Sequence, residues 1–172
     1  MPAKDTWSDA CESALNEQIR VEYLASYHYH KLAAHFYKLD TGLMKLADYF
    51  NRASLEEREH ADKLMRYQCE RGGKVVLFTL PNPEMTLEKE TEVRKSFELA
   101  LELEESVNKK LIELHKVAEA EGDAQFSDYL EGQFLEEQVE AIADLSRIVS
   151  QLNLIGDDGH GIWSLVNGLK EE

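Results

Sequence analysis

Four amphipathic stripes constrain this chain more than any other feature, because each is broken near its middle by a polar residue. The first places Leu15, Ile19, Glu22, Ser26, Tyr29, Ala33 and Phe36 at alternating steps of four and three. The second runs Leu46, Phe50, Ala53, Glu57, His60, Leu64 and Tyr67. The third is Val93, Phe97, Ala100, Glu104, Val107, Leu111, Leu114 and Ala118; the fourth is Phe134, Gln138, Ala141, Leu145, Ile148, Leu152 and Ile155. Residues at this spacing share one face of an α-helix, and long helices so patterned pack seam to seam. The reading is one domain over residues 1–172, with bundle helices at about 9–37, 44–72, 92–120 and 124–155.

Breakers fall between the stripes. Asp40-Thr41-Gly42 separates the first two helices, Gly72-Gly73 stops the second, and Glu121-Gly122-Asp123 separates the last pair. Short loops make each of these pairs antiparallel. The middle connection, about 73–91, passes through Pro81 and Pro83 without helical periodicity. Extended, it reaches about 60 Å, whereas a helix of this length is about 42 Å long. It can therefore cross the whole bundle and leave the second and third helices parallel. A short fifth helix at about 161–169 carries an apolar face of Ile162, Leu165, Val166 and Leu169, which is expected to pack on a partner.

Composition narrows the class. With 43% hydrophobic and 31% charged residues and only 3 prolines, the chain suits a helical globular protein. A formal net charge of −15 disfavours nucleic acid or an anionic membrane as partner and is compatible with attracting cations. Cys11 and Cys69 form neither a disulfide framework nor a CxxC motif. The first residues lack the apolar run of a secretory signal, and no stretch is long and apolar enough to span a membrane. On this reading the expected compartment is the cytosol.

The chemistry lies in the interruptions. Glu22, Glu57, Glu104 and Gln138 each replace an apolar residue near the middle of a different helix. A single buried glutamate is ordinarily a hydrogen-bonded core residue. Three at matching depth need compensation, and a bound cation supplies it. His60, three residues after Glu57, shares its face and adds a nitrogen donor. Glu-x-x-His projecting inward is the device of di-iron bundles, and a donor set of carboxylate and imidazole suits iron or manganese. The site is lopsided, since only one Glu-x-x-His exists among the six histidines. Glu22, Glu57 and His60 make one complete position. Glu57 bridging to Glu104, with Glu56 and Gln138 nearby, makes a weaker one.

Asn16-Glu17-Gln18-Ile19-Arg20-Val21-Glu22-Tyr23-Leu24-Ala25-Ser26-Tyr27 resembles the first helix of eukaryotic ferritins of the heavy-chain, ferroxidase-active type. Glu56-Glu57-Arg58-Glu59-His60-Ala61, Arg71-Gly72-Gly73, Leu103-Glu104, Leu111-Ile112-Glu113-Leu114-His115 and Phe134-Leu135-Glu136-Glu137-Gln138-Val139 follow in order, so the resemblance covers roughly residues 9 to 156. It implies a ferritin-like four-helix bundle with a short C-terminal helix, assembled as a hollow shell of 24 subunits, either homo-oligomeric or mixed with another ferritin subunit. It also implies oxidation of Fe(II) to Fe(III) by dioxygen at a centre holding two irons per subunit, and storage of the ferric oxide. Carried over, the catalytic set is Glu22, Tyr29, Glu57, His60, Glu104 and Gln138, with Glu56 and Glu137 as accessory metal-binding acids. Asp128, Glu131 and His115 match an ion channel; Glu56, Glu59 and Asp62 match a mineral-nucleation patch. Among the departures, Ser127 stands where a cysteine is common, the crossover is about two residues longer, and the tail with Gly168 and Lys170 matches poorly. His28, His30 and His35 are read as surface or interface residues. The competing readings are a light-chain-like storage shell that does not oxidise iron, and a di-iron peroxidase or oxidase.

Overall fold

In the computed structural model, residues 7–87 and 92–169 are described, so Lys170 lies outside them. The elements are α1 (Asp9–Phe36), α2 (Met44–Glu70), α3 (Glu92–Ala120), α4 (Ala124–Leu130), a π-helical turn (Glu131–Leu135), α5 (Glu136–Ile155) and α6 (Gly159–Asn167). Backbone dihedrals stay right-handed helical at Leu130, Glu131, Leu135 and Glu136, so α4, the π turn and α5 form one continuous rod. The four rods build an all-α bundle, and no strand occurs among the described residues. Also among these residues, no helix is long and apolar enough to cross a membrane.

Local chemistry sets the ends. Ser8 caps α1 by accepting from the Cys11 amide at 3.1 Å. Gly72 and Gly122, at φ +81° and +68°, close α2 and α3 in Schellman turns. In these, Gly73 N–H bonds Gln68 O at 2.8 Å and Asp123 N–H bonds Ala118 O at 2.9 Å. Asp123 then caps α4 by accepting from Phe126 N–H at 3.0 Å. Asp158 does the same for α6 at the Gly161 amide, 2.7 Å. That cap starts α6 at Gly159, two residues before the periodicity alone places it.

The crossover can be followed by what holds it. Near its start, Asn16 of α1 donates to Lys74 O at 3.0 Å and accepts from Val76 N–H at 2.9 Å. Farther on, Lys31 of α1 donates to Pro83 O. Between those anchors α1 advances 15 residues, about 22 Å, so the connection runs along the bundle. At its far end His35 Nε2 lies 3.0 Å from Glu92, the first residue of α3. Thus α3 begins beside the C-terminal end of α1, which makes it antiparallel to α1 and parallel to α2.

The apolar core is in two parts. One contains Leu15, Ile19, Leu64, Val107, Leu111, Phe126 and Phe134. The other contains Leu32, Phe36, Phe50, Phe97, Leu145 and Leu152. The polar interruptions of the four seams form a belt between them.

Candidate metal centre

Glu22 on α1, Glu57 and His60 on α2, Glu104 on α3 and Gln138 on α5 are all buried, none more than 7% exposed. The seams put them there, because each occupies an inward position of a stripe whose other members are mostly apolar. A reciprocal serine pair fixes α1 against α2 at the same level. Ser26 donates to Ser54 O at 2.6 Å, and Ser54 donates to Ser26 O at 2.7 Å.

The structure brings these residues together unevenly. Donor atoms of Glu22, Glu57 and His60 all lie within 4.8 Å of one another, as do those of Glu56, His60 and Glu137. His60 belongs to both groups, with Nδ1 3.4 Å from Glu57 Oε2 and Nε2 3.5 Å from Glu137 Oε2. Glu104 belongs to neither. Tyr29 donates to its Oε1, and Gln138 donates to its Oε2 at 2.6 Å and to its backbone oxygen at 2.9 Å. Tyr29 and Gln138 therefore hold a carboxylate in place.

The first group is left polar and unsatisfied. Glu22 Oε2, Glu57 Oε2 and His60 Nε2 are buried and without a hydrogen-bond partner. Buried polar atoms are normally paired, so three orphans within one cluster of carboxylates and imidazole mark a place for a ligand. Burial, and then the neighbouring Glu57 charge, raise the Glu22 carboxyl well above its ordinary range. Burial and then Glu104 do the same to Glu57. Burial also pushes the Tyr29 phenol far up, with Glu104 next in effect, so it remains a hydrogen-bond donor. A divalent cation would satisfy the orphans and reverse the penalty on both carboxylates. Hard oxygen donors plus one imidazole fit iron.

Three contributors escaped the sequence reading. Gln18 donates to Glu22 Oε1 at 2.7 Å; its place four residues before Glu22 was an available signal. Ser54 is visible only once α1 and α2 are packed. Tyr49 has its phenol raised to about 12 by burial and then by the charge of Glu104.

The remaining expected residues lie outside the belt. His115 on α3 meets Glu131 of the π turn, Nε2 to Oε1 2.7 Å, while Asp128 is exposed on α4. Glu56 and Glu59 are exposed on α2, and Asp62 pairs with Arg66 at 3.0 Å. Burial raises the Glu56 carboxyl although His60 pulls it down. On α1, His28 Nδ1 contacts Leu24 O at 2.8 Å, His30 is exposed and His35 meets Glu92.

A family profile, the ferritin-like domain, matches residues 12–155. Among curated proteins, the chain is 47% identical over 163 residues to a chloroplastic ferritin of Malus baccata var. xiaojinensis, covering 94% of this chain and 65% of that protein. It is 48% identical to a chloroplastic ferritin of Phaseolus vulgaris (94% and 64%) and 48% identical to ferritin-3, chloroplastic, of Arabidopsis thaliana (94% and 62%). The chain thus spans a little under two thirds of the length of these relatives. Their names overturn the cytosolic expectation, since all three are chloroplastic proteins. That expectation rested on a missing secretory run, which bears on export and is silent about organelles.

Proposed function

The chain belongs to the ferritin family, and from that premise we propose that it stores iron, oxidising Fe(II) with dioxygen inside each subunit. The supporting observation is the set of three buried, unpartnered donors, Glu22 Oε2, Glu57 Oε2 and His60 Nε2. Fe(II) is the substrate. One ion binds at Glu22, Glu57 and His60; the other uses Glu57 and Glu104, with Glu56 and Glu137 leading to it. Anionic oxygen donors favour the higher charge of Fe(III), so the site assists loss of an electron. Each Fe(II) gives one electron to dioxygen, which takes up two protons and leaves as hydrogen peroxide. Gln18, Gln138 and Tyr29 hold the carboxylates that touch the metal.

The ferric product is stored as oxide within a shell of 24 like subunits, with or without a second subunit type. Asp128, Glu131 and His115 face the entry channel, and Glu56, Glu59 and Asp62 start the mineral. A plastid is the proposed compartment, supported by the chloroplastic names of the relatives.

The test is aerobic stopped-flow absorbance after adding Fe(II) to the metal-free assembled protein. A fast, saturable phase is expected in the native protein and is lost in Glu57→Ala/His60→Ala with the assembly retained. Identical kinetics in the two proteins would overturn the reading.

A further inference from the structure

An unbroken file of aromatic rings leaves the metal belt at His60. The His60 ring lies 5.7 Å from Phe134, and Phe134 lies 5.8 Å from Tyr129. Tyr129 stacks on Tyr67 with centroids 4.0 Å apart and planes 11° from parallel. Tyr67 then meets Trp7 edge-on at 5.8 Å. Packing alone asks only for buried apolar rings. Here the file joins a cluster histidine to two phenols and an indole, the side chains most readily oxidised by one electron.

We propose that Tyr129, stacked on Tyr67, is an electron donor to the centre, used when hydrogen peroxide meets a subunit holding a single Fe(II). The inference rests on the ferroxidase reading, which supplies both peroxide and Fe(II). In the step, the O–O bond of hydrogen peroxide breaks. One electron comes from Fe(II), and one electron with its proton comes from the Tyr129 phenol. A second proton comes from solvent, and the products are Fe(III), two waters and a neutral Tyr129 phenoxyl radical. A further Fe(II) then returns one electron to the phenoxyl, solvent returns the proton, and the tyrosine is restored. Without such a donor, the single Fe(II) provides only half of the electrons peroxide needs, and a hydroxyl radical is left over. Phe134 is too hard to oxidise to hold the hole itself, and it serves as the bridge between His60 and Tyr129.

The surroundings decide where the radical rests. The Arg71 guanidinium sits 4.6 Å over the Trp7 ring, so a Trp7 radical cation faces a fixed positive charge. Tyr67 donates to Gln125 Oε1 and accepts from Arg71 Nη1 at 2.6 Å, and neither neighbour takes a proton. Tyr129 is half-buried, and its hydroxyl makes only a long contact of 3.4 Å with Lys63 O. Its proton can reach water. The same guanidinium lies 5.6 Å over the Tyr67 ring, so the hole is held on Tyr129, the outer ring of the stack, which can release its proton.

The experiment loads the metal-free assembled protein with one Fe(II) per subunit without air, adds equimolar hydrogen peroxide, and freezes samples within milliseconds for electron paramagnetic resonance. A spin trap reports hydroxyl radical in parallel. In Tyr29→Phe, which removes the phenol bonded to Glu104, a tyrosyl signal is expected to persist. In Tyr29→Phe/Tyr129→Phe it falls several-fold and trapped hydroxyl rises. A signal indifferent to Tyr129, or no tyrosyl signal in Tyr29→Phe, would overturn the proposal. The fast aerobic phase keeps the two readings separable. If it is absent from the native protein, the ferroxidase reading fails. If it is present while the radical ignores Tyr129, the relay alone fails.

Discussion

Glu22→Gln in the metal-free protein tests whether the belt is built for a cation at the expense of stability. Glu22 is fully buried, and its Oε2 has no partner. An amide keeps the bond from Gln18, 2.7 Å in the native protein, and turns the orphan acceptor into a donor facing Glu57. Relief of one buried unsatisfied polar atom is worth about 1–3 kcal/mol, or roughly 3–9 °C in melting temperature for a chain of this size. The variant should therefore be more stable without metal. The dependence on pH follows from the raised Glu22 carboxyl. Its folded pKa exceeds the unfolded value, so between the two the native state binds the extra proton. Stability then declines as pH rises from the unfolded value, about 4.3, through the folded one. Glu22→Gln should flatten that decline, and the stabilisation by Fe(II) under anaerobic conditions should largely vanish. Glu104→Gln is the control of opposite sign. Both Glu104 oxygens already accept, from Tyr29 and Gln138, so an amide sets donor against donor and costs about 1–3 kcal/mol. The assay is denaturant unfolding of the metal-free proteins across pH. A Glu22→Gln protein less stable than the native one, with an unaltered pH profile, would refute the reasoning.

Ser26→Ala/Ser54→Ala removes the two reciprocal bonds between α1 and α2 and should cost about 1–3 kcal/mol in the same unfolding assay. Because Glu22 and Glu57 ride on those helices, the Fe(II) concentration at half-maximal rate should also rise; a stability loss with unchanged half-saturation would show that the pair is packing alone. Arg71→Ala breaks the 2.6 Å pair with Asp123, which should cost about 1.5–3 kcal/mol at neutral pH. Burial works to raise the Asp123 carboxyl, but the bonds from Arg71 and the Phe126 amide outweigh it and hold the pKa low. The contribution is therefore present above the unfolded value and fades on acidification, so native and variant midpoints should converge at low pH, and a constant gap would count against the pair.

Much of this fold is written in one dimension. The alternating four-three steps identify the rods, and Glu22, Glu57, His60 and Glu104 stand out because they violate a period that everything around them obeys. The π turn was legible in principle. Phe126, Leu130, Phe134 and Gln138 are separated by three successive steps of four. Each such step overshoots a full turn by about 40° in an α-helix, about 120° in all, and the one-residue insertion of a π turn absorbs most of that. The start of α6 at Gly159 was not legible from the apolar period, because Gly159 and Gly161 carry no side chain to mark it and the Asp158 cap shows only in the fold. Contacts between rods were not legible at all. The Ser26–Ser54 pair, the Tyr129–Tyr67 stack and the hold of Tyr29 and Gln138 on Glu104 depend on helix rotation and offset, which the period does not specify.

The belt also shows why its carboxylates are unequal. Each Glu104 side-chain oxygen already accepts one bond from protein, so a cation reaching it shares that oxygen with Tyr29 or Gln138. Glu22, Glu57 and His60 offer atoms that nothing else satisfies, so a cation there replaces no existing bond. Under the proposed function, that difference gives one firm position and one loose one, with His60 shared between the buried group and the outer pair Glu56 and Glu137. A loose second position suits iron that must arrive, be oxidised and leave. A resident cofactor would be better served by two equal ones. The two apolar clusters on either side make such a belt tolerable, since their packing supplies the stability that the unsatisfied acids withhold.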